Sequence, residues 1–360
     1  MAKRLMKGSE AIAEAAVRNG CRYFFGYPIT PQTEIPEYLS WRMFDEDVGG
    51  CFLQAESEIA AINMVYGAAA TGVRAMTSSS GPGISLMQEG ISTLCAAELP
   101  CLIVNVMRGG PGIGSIQASQ GDYFQTVKGG GHGDYRMITF APSSVQEAVD
   151  CIGWAFPLAE VWRMPVMVCA DGMLAQMMES VELPDMMTYR DEPEGKPWAA
   201  TGWDCKQPAG ERGNITSLNV DTEQLELLNV RLQGRYGQIR ERECRWEAYN
   251  MENAQLVVTA FGTVARIVKS VIDELRGEDI HVGMLRPITI WPFPYAAVRE
   301  AAVQQGVKGV LDVELNAGQM LEDVRLAVNG AQRVAFFGHC GSRLPTADEI
   351  RREVLAMLEE

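Results

Sequence analysis

Along the first half of the chain, short apolar runs alternate with segments whose apolar residues recur at helical spacing. The runs predict strands at 22–26, 51–54, 73–77, 101–107, 137–140 and 165–170. Helices are predicted at 9–19, 33–44, 56–71 and 84–97, with Gly20 and Gly72 as left-handed stops. Ser144-Val-Gln-Glu147 has the spacing of a capping box and opens a further helix. A glycine-rich stretch occupies 108–134. Short apolar strands separated by helices predict a mostly parallel sheet with helices on both faces. Ligands of such sheets sit beyond the carboxyl ends of the strands, so the loops after residues 26, 54, 77 and 107 come first.

The pattern lapses between 188 and 253, where Pro193, Pro197 and Pro208 interrupt it and charges crowd 240–247. An extended connector with one polar helix is expected there. The alternation then resumes, with strands at 256–261, 281–285, 307–313 and 333–337 and helices at 263–275 and 320–328. The expected division is a first α/β domain at 1–187, a connector at 188–253 and a smaller α/β domain at 254–360. The length agrees, since 360 residues at about 150 per domain suggest two.

Charge narrows the function. The net charge of −15 lacks the cationic excess that phosphate neutralisation requires, so a nucleic-acid binder is excluded, as is docking on an anionic membrane. No stretch reaches the roughly 18 apolar residues of a membrane span, and the basic N-terminus is followed by no apolar run. A cytoplasmic location is expected. The cysteines (21, 51, 95, 101, 151, 169, 205, 244 and 340) are scattered without a C-x-x-C pair. They read as buried, reduced thiols rather than as ligands of a cluster or zinc site.

Several chemistries lack their motif. There is no P-loop and no Gly-x-Ser-x-Gly elbow, and Gly112-Ile-Gly114 lacks the third glycine of a dinucleotide fingerprint. The three histidines lie far apart. His132, in a run of glycines, reads equally as a loop residue bonded to backbone or as a functional one.

Four features fall at the expected strand ends. In Gly26-Tyr-Pro-Ile-Thr-Pro31 two prolines hold Thr30 rigidly, and the plainer alternative is that Thr30 caps the next helix. In Gln54-Ala-Glu56-Ser-Glu58 both acids suit a helix N-terminus. Glu58, next to Ile59 and Ile62, is the better candidate for a buried acid or hydrogen-bond donor. Ser78-Ser-Ser-Gly-Pro-Gly83 offers hydroxyls and amides to a polar ligand. Arg108, after a buried strand, suits a bidentate carboxylate, with an internal salt bridge as the alternative.

Together these stretches resemble the α subunit of the 2-oxoacid:ferredoxin oxidoreductases, which use thiamine diphosphate. The matching segments are 26–31, 54–67, 77–88, 104–112 and Leu285-Arg-Pro-Ile-Thr-Ile-Trp-Pro-Phe-Pro294. The resemblance implies a thiamine-enzyme pyrimidine-binding domain followed by a transketolase C-terminal-like domain. It implies that Glu58 holds the cofactor's aminopyrimidine, with Glu56 as the fallback. Pro28, Ile29, Thr30, Ser80 and Gly81 would also contact the cofactor. Thr30, Arg108 and Gly109 would contact the 2-oxoacid, with Arg108 on its carboxylate. A glutamic acid bonded to the pyrimidine favours the imino form that can take the proton from thiamine's reactive carbon.

The same resemblance assigns the missing parts to partners. Ala170-Asp-Gly172 is the nearest approach to a diphosphate motif, and no asparagine follows it until Asn214. Mg2+ and the diphosphate site would sit on a β subunit. The 4Fe-4S clusters would sit on partner subunits too, with a γ subunit and an iron–sulfur ferredoxin-like subunit completing the complex that serves ferredoxin. The 54–67 segment and Gly129-Gly-Gly-His-Gly-Asp-Tyr135 are most similar to branched-chain (2-oxoisovalerate) members. The loop Pro111–Gln117, expected to touch the substrate side chain, carries no cation, which favours an apolar substrate over 2-oxoglutarate. A non-catalytic scaffold of the same fold is the alternative in another class.

Overall fold

The two longest buried runs, Cys101–Met107 and Pro165–Asp171, pair side by side in parallel at the middle of a seven-stranded sheet. The computed structural model describes residues 3–188, 196–202 and 213–359; Pro193, Pro208 and Cys205 lie outside them. Across the sheet the order is Thr289–Trp291, Ile138–Phe140, Pro165–Asp171, Cys101–Met107, Ala75–Ser79, Tyr23–Gly26 and Cys51–Gln54. All neighbours are parallel except the first pair. The chain steps from Tyr23–Gly26 outward to Cys51–Gln54 and then back across to Ala75–Ser79. The reversal leaves a crevice at the carboxyl ends of these strands, the general ligand position of open α/β sheets.

Small side chains let the covering helices approach closely. Glu58–Ala70 packs on Pro82–Ala96 so tightly that a Cβ on Gly90 would lie 2.4 Å from Ile62 Cγ2. One expected loop proves to be strand: Ser78 and Ser79 pair with Val104 and Asn105. Of the described cysteines, Cys21, Cys95, Cys101, Cys151 and Cys169 are buried, and burial pushes the Cys21 thiol up to about 12. Cys340 departs from the expectation and is exposed.

A second, five-stranded sheet runs Val334–Gly338, Val310–Glu314, Leu256–Thr259, Val282–Pro287 and Trp246–Tyr249. Its last strand is antiparallel and comes from the segment expected to be connector, which also carries the expected polar helix, Thr222–Arg242. In return, Thr289–Trp291 leaves the second half of the chain to edge the first sheet against Ile138–Phe140. Between them Arg286, 3% exposed, donates twice to Glu147 (2.7 and 2.9 Å) and once to Glu247 (2.7 Å). Glu147 is the acid of the capping box. Ser144 Oγ accepts from its N–H as expected, but its carboxylate takes Ser143 instead of the Ser144 N–H.

The second sheet buries two acids, Asp312 and Glu314, both 0% exposed. Glu314 accepts from Asn316 Nδ2 and from the Met320 and Leu321 N–H groups that open the helix Met320–Val328. Asp312 accepts from Thr259 Oγ1 at 2.7 Å. Burial, then the negative Glu314, pushes Asp312 well above the carboxylate range, so Asp312 keeps its proton to higher pH than a free carboxyl does. The unfolded chain releases that proton at ordinary pH. The pair's contribution is therefore complete below the carboxylate range and is lost as pH rises through the raised pKa. Asp312→Asn keeps a donor toward Glu314 without the proton. Its melting temperature relative to the native chain is expected to climb as pH rises above the ordinary carboxylate range; a constant difference would contradict the raised pKa of Asp312.

Candidate active site

The loop after Tyr23–Gly26 is tied to the next strand by a buried amide. Gln32 Nε2 donates to Ser78 O (2.7 Å) and to Tyr27 O (3.3 Å). This pins Tyr27–Pro31 over the crevice, with a cis peptide between Thr30 and Pro31. Pro28 and Ile29 are half-buried and Thr30 is exposed. Thr30 does not cap the following helix: Thr33 is the N-cap residue of Glu34–Arg42 and makes no side-chain bond there.

The neighbouring helix begins later than expected, at Glu58, because Ser57 Oγ accepts from the Ala60 N–H at 3.2 Å. That register separates the two acids. Glu56 stands outside the helix and exposed, whereas Glu58 is 5% exposed. The Glu58 carboxyl lies against the start of Pro82–Ala96, where a Cβ on Gly83 would meet Glu58 Oε1 at 2.6 Å and Ser79 Oγ at 2.1 Å. Glu58 makes no hydrogen bond to any described residue.

At the same end of the strand Ala75–Ser79, several buried polar atoms have no hydrogen-bond partner among the described residues: the hydroxyls of Thr77, Ser78, Ser79 and Ser80, and Gln32 Oε1; Ser79 Oγ is the one that meets Glu58 at Gly83. Buried polar atoms in native proteins are nearly always paired. Here they gather at one end of one sheet, beside a buried carboxyl and a glycine cradle. Such a surface suits a polar ligand that both donates and accepts.

Arg108 ends the central strand and is 7% exposed. It makes no salt bridge to any described residue. Its guanidinium donates to Thr30 O (2.7 Å) and Ile113 O (2.8 Å), and Nε has no partner. Part of the fork expected for a ligand is thus spent on backbone. Its stem covers Gly81, where a Cβ would lie 3.4 Å from Arg108 Cγ. The structure therefore brings Thr30, Arg108 and Gly81 into contact, while Glu58 joins Ser79 and Gly83 two residues further along.

On the outer side of Arg108 opens a cavity of about 790 Å³. The glycine-rich loop lines it through Gly109–Ile113, Ser119, Gly121 and Asp122, and the second half of the chain through Asn316, Ala317, Gln319, Cys340 and Gly341. Pro111–Gln117 carries no cation, and Ile113 (82% exposed) and Ile116 (55%) stand out from it. Asp122, Asn105 and Gln32 were not singled out from sequence. Asn105 had a signal, being a polar residue in the middle of a buried apolar strand.

Two other candidates have structural duties. His132 is exposed, and its carbonyl accepts from Ser92 Oγ. The glycines before it are required because Cβ atoms on Gly130 and Gly131 would strike Gln88 at 2.8 and 2.3 Å. Asp171 caps the helix Gly172–Gln176, accepting from the Met173 and Leu174 N–H groups at 3.0 Å each. Burial raises its pKa and these bonds oppose the rise. Among the described residues, no group of three or more His, Cys, Asp or Glu is arranged to hold a metal.

Known proteins match the whole chain. Residues 14–231 fit the family described as "Pyruvate flavodoxin/ferredoxin oxidoreductase, thiamine diP-bdg", and 254–350 fit "Pyruvate:ferredoxin oxidoreductase core domain II". The ketoisovalerate oxidoreductase subunit VorB of Methanothermobacter marburgensis is 46% identical over 98% of this chain and 97% of its own. The 2-oxoglutarate synthase subunit KorA of Methanocaldococcus jannaschii is 37% identical over 99% of this chain and 100% of its own. Among solved structures, the 2-oxoglutarate:ferredoxin oxidoreductase of Magnetococcus marinus, with 2-oxoglutarate, coenzyme A and succinyl-CoA bound, superposes with a TM-score of 0.86 at 26% identity. It covers 99% of this chain, which spans 65% of that longer one. A split-gene transketolase shares the fold (TM-score 0.59, 14% identity, 98% of both chains).

The cradle under Glu58 can be tested without any ligand. Gly83→Ala forces a methyl against Ser79 and Glu58, and is expected to destabilise the chain by about 1–3 kcal/mol in denaturant titration. An unchanged midpoint would mean that Glu58 is free to swing away.

Proposed function

Because this chain belongs to the 2-oxoacid:ferredoxin oxidoreductase family, we propose that it is the α subunit of a complex that decarboxylates 2-oxoisovalerate oxidatively. The products are an acyl-CoA and CO2, and the electrons pass to ferredoxin. The observation that carries the reading is the unpartnered polar cluster around Glu58, at the carboxyl ends of the reversing strands. Its hydroxyls and carboxyl suit the mixed donors and acceptors of an aminopyrimidine, so the residues fit thiamine diphosphate. The choice of a branched substrate is supported by the higher identity to ketoisovalerate subunits and by the cation-free loop Pro111–Gln117.

Each residue then has a task. Glu58 hydrogen-bonds the cofactor's pyrimidine ring and holds the proton there. Pro28, Ile29, Thr30, Ser80 and Gly81 line the ring's surroundings. Thr30, Arg108 and Gly109 receive the 2-oxoacid, with the unspent N–H groups of Arg108 on its carboxylate. When bound, thiamine diphosphate supplies a carbon nucleophile and an electron sink. The apolar side chains left exposed near Glu58, among them Tyr27, Leu53 and Ile59, suit coverage by a partner.

That partner is assigned the diphosphate and Mg2+, because the Asp171 carboxylate is committed to its helix cap. This is the β subunit; the 4Fe-4S clusters are assigned to partner subunits, among them an iron–sulfur ferredoxin-like subunit, and a γ subunit completes the complex. The working units of the chain are 1–187, 188–253 and 254–360. No described helix is long and apolar enough to cross a membrane, and we assign the complex to the cytoplasm.

Reconstitution with the partner subunits tests these roles. Glu58→Gln is expected to cut CoA-dependent ferredoxin reduction about 10²- to 10⁴-fold, and near-normal turnover would sink the role given to Glu58. Arg108→Ala should act mainly on KM; a fall in kcat alone would move Arg108 to a transition-state role. Offered 2-oxoisovalerate, pyruvate, indolepyruvate and 2-oxoglutarate side by side, the complex should prefer the first. A preference for 2-oxoglutarate would overturn the substrate but not the reaction.

A further inference from the structure

One carboxyl on the cavity wall has no task in the reaction above. Asp122 lines the same cavity as Arg108, on the loop that returns from Pro111–Gln117. It accepts from Asn105 Nδ2 at 3.0 Å, and the Gln125 amide and the Gly81 N–H help to hold its pKa down. Burial raises its pKa, while these bonds and the charge of Arg108 pull the other way. Gly81, Arg108 and Asp122 line one cavity. A Cβ on Gly81 would lie 3.4 Å from Arg108 Cγ and 3.7 Å from Nε. Arg108 makes no ion pair among the described residues. Its two hydrogen bonds go to neutral carbonyls, so Asp122 acts on it through space.

Resting on the functional reading above, we propose that Asp122 is a positioning residue acting through Arg108, one that weakens the hold on the substrate carboxylate and thereby speeds its departure. Two anions then share the field of one guanidinium. The substrate carboxylate is attracted by Arg108 and repelled by Asp122. When the bond between the carboxylate carbon and the oxo-bearing carbon breaks, its electron pair stays behind and the carboxylate leaves as neutral CO2. The repulsion is relieved in that step, so it raises the ground state more than the transition state. A site built only to bind a carboxylate would gain from having no second anion here.

Asp122→Asn removes the charge and keeps the shape. Asn105 Oδ1 has no partner, so the Asn105 amide can turn and accept from the introduced amide. In the reconstituted complex with 2-oxoisovalerate, KM and the inhibition constant of N,N-dimethyl oxamate (a non-reacting mimic) are expected to fall about threefold or more. The kcat is expected to fall by about the same factor, leaving kcat/KM nearly unchanged. A lower kcat with a lower KM is the signature of lost ground-state repulsion, which a merely structural role does not produce. Asp122→Ser, which keeps an acceptor for Asn105 Nδ2, should give the same signs if the amide variant folds poorly. Unchanged constants, or a KM or inhibition constant that holds or rises while kcat falls, would overturn the proposal. If the native complex turned over no 2-oxoacid at all, the functional reading would fail instead.

Discussion

Gln120 holds the cavity wall together. It is 0% exposed and uses both ends of its amide and both of its backbone groups. Its N–H donates to Leu315 O (3.0 Å), its carbonyl accepts from Asn316 Nδ2 (2.9 Å), Oε1 accepts from the Leu315 N–H (2.9 Å), and Nε2 donates to Phe261 O (2.7 Å). A loop as rich in glycine as 108–122 has little local preference of its own. These bonds set where Arg108, Gly109 and Asp122 stand relative to the second sheet. Gln319 repeats the device next door, donating to Gly121 O and accepting from the Phe124 N–H, both at 2.8 Å. Each such group left unpaired in the interior would cost about 1–3 kcal/mol, so the loop and the second sheet are bound to one geometry.

Two groups of buried polar atoms stand in contrast. Those between the two sheets are satisfied by one another: Gln120, Asn316, Gln319, and Tyr123 with Asp323 (2.8 Å). Those at the carboxyl ends of Tyr23–Gly26 and Ala75–Ser79 are buried yet unpaired. The first group builds the molecule. The second is open to a polar ligand, in keeping with the match to a thiamine diphosphate-binding family.

Much of this was legible in the residue order. The strands at 51–54 and 101–107 stand where the apolar runs put them, and Glu58 was preferred over Glu56 because its neighbours are apolar. The limits of that reading are physical too. Ser78 and Ser79 look like loop to any local rule, and are strand because Val104 and Asn105 stand beside them to pair. Trp246–Tyr249 and Thr289–Trp291 are short, and each becomes a strand only on the edge of a sheet built from distant residues. The capping box at 144–147 was visible, but not that Arg286, 139 residues away, would claim its glutamate.

By itself the sequence determined the α/β alternation, the acidic surface and the residue types of the site, because each depends on periodicity and on side-chain chemistry within a few positions. Only the tertiary structure decided which acid is buried, which serines are left without partners and that Asp122 and Arg108 share one cavity. These depend on helix register, on strand pairing and on loops clamped from the far end of the chain, and no local pattern of residues encodes them. The glycine surplus shows both sides. Its abundance was plain from composition, but its reasons at Gly83, Gly90 and Gly131 are single close approaches of other side chains or backbone, which exist only once the chain is folded.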